Sequence, residues 1–223
     1  MSKSSPRPPA AFRVIDLTIP LRDGMDAFPG EPTAAFAPFS SIDDGGIEMW
    51  NVALFSQLGT HVDAPSHFVR GGTPVDRLDV SKGIGPATVI DVPPGRALDG
   101  ALVRERADDL RRTTRAIFRT GHARTLGTEA YWTGFPEFET SAADALVEFG
   151  VVFVGIDTPT PSMTHLHEIH HRLLEDEVLL AECLVNVDHL STETYLICLP
   201  LPLVGLDGSP ARVVALEALN HEE

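Results

Sequence analysis

The chain has 223 residues, of which 43% are apolar and 22% charged, a balance that fits one globular domain with a substantial core. Seventeen basic residues against 32 acidic ones give a net charge of −15, which repels phosphate backbones and anionic bilayers and so excludes nucleic acid and membrane as partners. Two cysteines, Cys183 and Cys198, both in apolar stretches, fit reduced buried thiols in a cytoplasmic protein, and no apolar run approaches the roughly 20 residues of a membrane span.

In chain order, residues 1–12 are polar and proline-rich and predict a disordered tail ahead of a single α/β domain over 13–223. Phe12 to Leu21 reads as a first strand, followed by a loop from Arg22 to Pro38. Residues 47–63 predict one long strand or a bent pair. Ala87 to Val92 alternates as a strand that stops at Pro93-Pro94-Gly95, Val103 to Arg112 has helical spacing, and Ala116 to Thr120 is a short strand. Ser141 to Glu148 predicts a helix with Ser141 as N-cap, and Val151 to Ile156 a buried strand. No internal repeat is present.

Two histidine-rich stretches carry the chemistry. In Gly59-Thr60-His61-Val62-Asp63-Ala64-Pro65-Ser66-His67, a strand over 57–63 places Gln57, Gly59, His61 and Asp63 on one face. Imidazole and carboxylate side by side on a rigid strand are what a zinc or manganese ion needs, and a polar, hydrogen-bonded strand end is the competing account. In His165-Leu166-His167-Glu168-Ile169-His170-His171, a helix puts His170 on the apolar face of Leu166, Ile169, Leu173 and Leu174, and leaves His171 in solvent. Glu182 sits inside the apolar run Val178 to Val185, which reads as a central strand. An unpartnered carboxylate there costs several kcal/mol, so it is ion-paired or metal-bound.

These stretches, together with Phe28-Pro29-Gly30-Glu31-Pro32, Arg119-Thr120-Gly121, Val154 to Thr158 and Gly208-Ser209-Pro210-Ala211-Arg212, resemble the cyclase superfamily of metal-dependent hydrolases, which includes bacterial kynurenine formamidase and isatin hydrolase. The resemblance runs from about Val14 to Leu216. It implies a compact domain with a swivelling-type β/β/α core, and a homodimer or homotetramer. It also implies metal ligands at His61, Asp63, His170 and Glu182, with His67 as a catalytic histidine beside the metal. Gln57 stands where the family commonly has a histidine ligand. Its neutral carbonyl oxygen is a weaker donor that shifts preference from zinc towards manganese or magnesium and leaves either a one-metal site or a position filled by water. Gln57, on the same strand face, can still reach the metal or hold its bound water.

The resemblance implies hydrolysis of an amide, lactam or ester of a small aromatic molecule, acting on C–N bonds other than peptide bonds. His67 would protonate the leaving group, and Glu182 could shuttle a proton. Two other functions remain open: cyclisation or dehydration of a polyketide-like intermediate at the same metal, and a binding protein whose hydrolytic site has decayed. Phe28, Phe36, Phe39, Trp50 and Phe68 are candidate pocket walls, with core packing as the alternative. His122 and Arg124 are candidate loop contacts to substrate. Neither cysteine is a credible nucleophile, since Cys183 alternates with Glu182 onto the opposite strand face and Cys198 lies in an apolar terminal strand.

Overall fold

A computed structural model describes residues 7–219. Its centre is a barrel of seven strands: β4 (His61–Asp63), β5 (Ile84–Asp91), β6 (Arg115–Arg119), β7 (Phe153–Ile156), β8 (Leu179–Glu182), β9 (Glu193–Pro200) and β10 (Gly208–Ala218). The strand order β10-β4-β8-β7-β6-β5-β9 closes because β10 pairs with β9 as well as with β4. Strands β5 to β8 run parallel, with helical crossovers, while β4, β9 and β10 join them antiparallel. The first strand, β1 (Phe12–Asp16), pairs with the far end of β10. Closure removes the exposed edges that an open sheet of this size would present.

Alternation along the strands decides what faces where. Val62, Val89, Ile117, Phe153, Leu179 and Ala181 fill the barrel. Their neighbours Ile90, Phe118, Val154 and Leu180 point outward into a second core, beneath the helical layer. That layer comprises α2 (Gly100–Arg104), α3 (Ala107–Thr113), α4 (Thr140–Glu148) and α5 (Leu166–Glu175). The expected α/β single domain is therefore observed, with a closed barrel as its core.

Several local expectations change. Residues 1–6 of the expected tail lie outside the described residues, and Phe12 already belongs to β1. That strand ends at Asp16 rather than Leu21, because after the Leu17 N–H bond to the Val213 carbonyl it is the Thr18 hydroxyl, not its backbone, that bonds Val213. The loop expected over 22–38 contains the start of β2 (Ala35–Ser40), which pairs with β3 (Met49–Ala53) across the short helix α1 (Ile42–Gly45). Residues 47–63 are therefore two strands in different sheets, separated by a turn in which Gly59 takes a φ of 62° that a side-chain-bearing residue rarely adopts. The helix expected over 103–112 breaks at Arg106, whose guanidinium reaches the Val89 carbonyl and Asp109. Ser141 is not the cap of α4: it lies inside the helix, and its hydroxyl accepts from the Gly100 backbone N–H, tying α4 to α2.

Candidate metal centre

The alternation that puts Val62 and Ala181 inside the barrel puts His61, Asp63 and Glu182 outside it, facing α5. His61 and Glu182 are direct cross-strand partners in the antiparallel β4–β8 register. From the opposite side, α5 buries Ile169, Leu173 and Leu174 against the sheet. His170 lies on that same face, as its spacing predicts, while His171 remains exposed beside Glu175. Four polar side chains thus meet in an apolar wall, with exposures of 4% for His61, 1% for Asp63, 2% for His170 and 5% for Glu182.

Their geometry is that of donors around an ion. His61 Nε2 lies 3.5 Å from Asp63 Oδ1 and 3.4 Å from Glu182 Oε2. His170 Nε2 lies 3.6 Å from Asp63 Oδ2 and 3.3 Å from Glu182 Oε1. Metal–donor bonds of about 2.1 Å place neighbouring donors of an ion about 3.4 Å apart, which matches these four spacings, although His61 stands outside the group of Asp63, His170 and Glu182 whose donor atoms all lie within 4.8 Å of one another. The other ring nitrogens are committed: His61 Nδ1 donates to the Gly59 carbonyl at 2.8 Å and His170 Nδ1 to the Leu166 carbonyl at 2.7 Å. A carbonyl can only accept, so each Nδ1 carries hydrogen and each Nε2 turns its lone pair towards the carboxylates. Ligating histidines are generally oriented this way. Both oxygens of Asp63 are buried without a hydrogen-bond partner, a costly state for a carboxylate that a cation would relieve. Asp63, His170 and Glu182 each offer a donor atom within 4.8 Å of the others. The donor set fits a divalent metal.

Electrostatics agree. Burial and the neighbouring Glu182 charge lift the Asp63 carboxyl to about 6. Burial opposes ionisation of Glu182 too, but hydrogen bonds from His170 and His61 hold it at about 2. Burial disfavours the charged His61 ring, yet the bond to Glu182 and the charge of Asp63 raise it to about 9, and His170 shifts upward for the same reasons. In a metal-free protein, protons on the imidazoles take the place of a cation.

A cavity of about 270 Å³ opens onto His61, His170 and Glu182. Phe28, Phe68, Trp132, Met163 and Leu166 give it apolar walls, and Glu31 and His67 stand at its polar end. Phe68 stacks on His170 with ring centroids 4.2 Å apart, fixing the imidazole plane. His67 ends a 3-10 turn over Pro65–His67 that begins two residues after Asp63, so one short stretch supplies both groups.

Gln57 is placed differently from its expected shared strand face. It sits in the turn before β4, donates from Nε2 to Asp207 Oδ2 at 2.9 Å, and lines the cavity. Of the candidate walls, Phe28 and Phe68 line the cavity and Phe36, Phe39 and Trp50 do not. Phe39 and Trp50, 68% and 52% exposed, belong to the β2–β3 hairpin instead. His122 and Arg124 are engaged elsewhere, with the Tyr131 carbonyl and Asp188. Cys183 follows the end of β8 at φ 59°, so strand alternation does not carry it to the opposite face, and it too lines the cavity. Burial pushes its thiol well above the ordinary value, which still speaks against a thiolate nucleophile. Glu31 belongs to a stretch the sequence marks, Phe28 to Pro32, whereas nothing local marks Trp132 or Asp207 as cavity neighbours.

Residues 15–162 match the family model named Cyclase. The chain is 32% identical over 206 residues to a kynurenine formamidase of Bacillus cereus, covering 90% of this chain and 95% of that one. It is equally identical over 209 residues to a kynurenine formamidase of Geobacillus thermodenitrificans, covering 89% and 94%. Among solved structures, isatin hydrolase A from Labrenzia aggregata superposes with a TM-score of 0.78 at 22% identity, covering 93% of this chain and 94% of that one. Isatin hydrolase A from Ralstonia solanacearum gives 0.74 at 24% identity, covering 92% of each chain. The fold, the length matched on both sides and the sequence identity agree: this chain belongs to the Cyclase family.

Proposed function

We propose that the protein is a metal-dependent hydrolase that cleaves an amide, lactam or ester bond of a small aromatic molecule, in the manner of an arylformamidase. The observation that carries this reading is the buried quartet His61, Asp63, His170 and Glu182, with both Asp63 oxygens unpartnered at the end of an apolar cavity. These four residues would hold the ion, zinc or manganese. A divalent metal supplies an acidified water and polarisation of the scissile carbonyl. Phe28, Phe68 and Trp132 stack or edge against an aromatic substrate and exclude bulk water from the carbonyl. His67, on the cavity wall, delivers a proton to the departing nitrogen or oxygen, and Glu182 can accept one from the attacking water. The relatives named kynurenine formamidase support a formamide as substrate, and the isatin hydrolase likeness supports a lactam.

The test is elemental analysis of the purified protein, followed by turnover on aryl formamides and lactams with product masses recorded. Metal bound at one equivalent or more and a product heavier by one water, or split into formate and an aniline, establish the hydrolase. A product of unchanged mass, or one water lighter, would instead assign cyclisation or dehydration. Metal binding without turnover would leave a binding protein.

We also propose a cytoplasmic homodimer or homotetramer. No described helix is long and apolar enough to cross a membrane. The β2–β3 hairpin exposes Phe39, Met49, Trp50 and Val52, a surface that a second copy would cover. Light scattering at micromolar concentration tests this, and a monomer there refutes it.

A further inference from the structure

The third carboxylate near the cavity, Asp207, is outside the metal quartet and has a different partner. Its Oδ2 accepts from Gln57 Nε2 at 2.9 Å and lies at ion-pair distance, 3.1 Å, from His67 Nδ1. Three features build this arrangement into the fold. The pairing of Gly208 with Asp63 in the β4–β10 register sets Asp207 beside Ala64, whose N–H donates to the Asp207 carbonyl at 2.9 Å. The backbone that leads into His67 and the carboxylate that meets its ring are therefore fixed to each other. Gly208 has no side chain where one would collide: a Cβ there would stand 2.6 Å from Gln57 Nε2 and 2.8 Å from the Val62 carbonyl. The missing Cβ is what lets the Gln57 amide approach Asp207. Finally, Phe68 presents its ring at 87° to His67 with centroids 4.7 Å apart, so His67 is held on a second side.

We infer that Asp207, itself steadied by Gln57, is the positioning residue for His67, fixing its orientation and placing its ring hydrogen on Nδ1. The inference rests on the hydrolase reading for its catalytic consequence, though not for its structural content. A carboxylate 3.1 Å away repels a lone pair on Nδ1 and attracts a hydrogen there, so the neutral ring takes the Nδ1–H tautomer and offers the Nε2 lone pair to the cavity. Partial burial works against ionisation of Asp207, but hydrogen bonds from Gln57 and Ser56 lower its pKa, which keeps it an acceptor. His67 then works in a set order. Nε2 first receives the proton that Glu182 has taken from the attacking water as the new C–O bond forms. The same proton passes to the leaving nitrogen as the C–N bond breaks, and the ring returns to its starting state. Gln57 serves His67 through Asp207, by way of its amide N–H, while its Oε1, buried without a partner, stays available on the cavity side.

The decisive measurement is the His67 tautomer, by long-range 15N–1H correlation on histidine-labelled protein with the signal assigned through His67→Gln. The wild type is expected to show hydrogen on Nδ1 of the neutral ring. Asp207→Ala is expected to move the hydrogen to Nε2, the tautomer free imidazole prefers, and to lower kcat about 10–100-fold, the range for loss of an outer partner of a site histidine. KM and metal content should stay within about twofold. Hydrogen on Nε2 in the wild type overturns the assignment without any variant. So does an unchanged tautomer in Asp207→Ala, full kcat in that variant, or a loss confined to KM or metal. If the wild type hydrolyses no amide, lactam or ester, the hydrolase reading fails while the tautomer still decides the role of Asp207.

Discussion

Replacing Asp63 by asparagine separates a metal ligand from a structural carboxylate, because the two roles predict opposite changes in stability. With divalent metal removed by chelation, burial and the charge of Glu182 lift the Asp63 carboxyl from its ordinary 3.8 to about 6. That difference corresponds to about 3 kcal/mol against the ionised form. The folded value lies above the unfolded one, so the penalty is absent below about pH 3.8 and complete above about pH 6. At pH 7.5 the metal-free Asp63→Asn variant should therefore match or exceed the wild type in stability, by up to about 3 kcal/mol. In a domain of this length that is a rise in Tm of up to about 6–12 °C. Adding metal at about 100 times its Kd stabilises the wild type by about 2.7 kcal/mol, or about 5–11 °C, and should leave the variant unmoved. Differential scanning fluorimetry with and without chelator reads both. A metal-free variant less stable than wild type by more than about 1 kcal/mol, or an equal metal-induced shift in both proteins, would refute the reasoning.

Four further outcomes follow from the same geometry. His170→Ala should abolish metal binding measured by calorimetry, whereas His171→Ala, on the exposed side of α5, should leave affinity and turnover within about twofold. Metal binding at pH 7 should release protons, because His61 titrates near 9 in the metal-free state, and affinity should weaken as pH falls; equal heats in buffers of different ionisation enthalpy would contradict this. Phe68→Ala removes the ring stacked on His170 and a cavity wall, so KM should rise and metal affinity should fall about 10-fold, read by steady-state kinetics and competition with a chelating dye. Cys183→Ala should retain turnover within a few-fold despite lining the cavity, and inactivation of the variant would restore the thiol as a candidate nucleophile.

The four residues proposed to hold metal are legible in the chain because each breaks a local pattern. His61 and Asp63 alternate with Val62, His170 interrupts the apolar face of a helix, and Glu182 interrupts an apolar strand. Hydrophobic periodicity exposes such residues, since a polar group at a core-facing position needs a partner. Gln57 and Cys183 escape such a reading for the converse reason: strand alternation does not run through Gly59 or past Glu182, because positive φ values at Gly59 and Cys183 end it. Trp132 and Met163 reach the cavity from connecting segments, whose paths have no period to read.

Local sequence thus determined which polar groups are buried and which helix face carries His170, because periodicity and desolvation act over a few residues. Tertiary structure alone decided that the sheet closes through β9 and β10, and that Asp207 lies beside His67. It also decided that the β2–β3 hairpin takes Phe39 and Trp50 away from the cavity. Each of these depends on strand register between segments far apart in the chain, where pairing energy is spread over backbone bonds that every residue type makes alike.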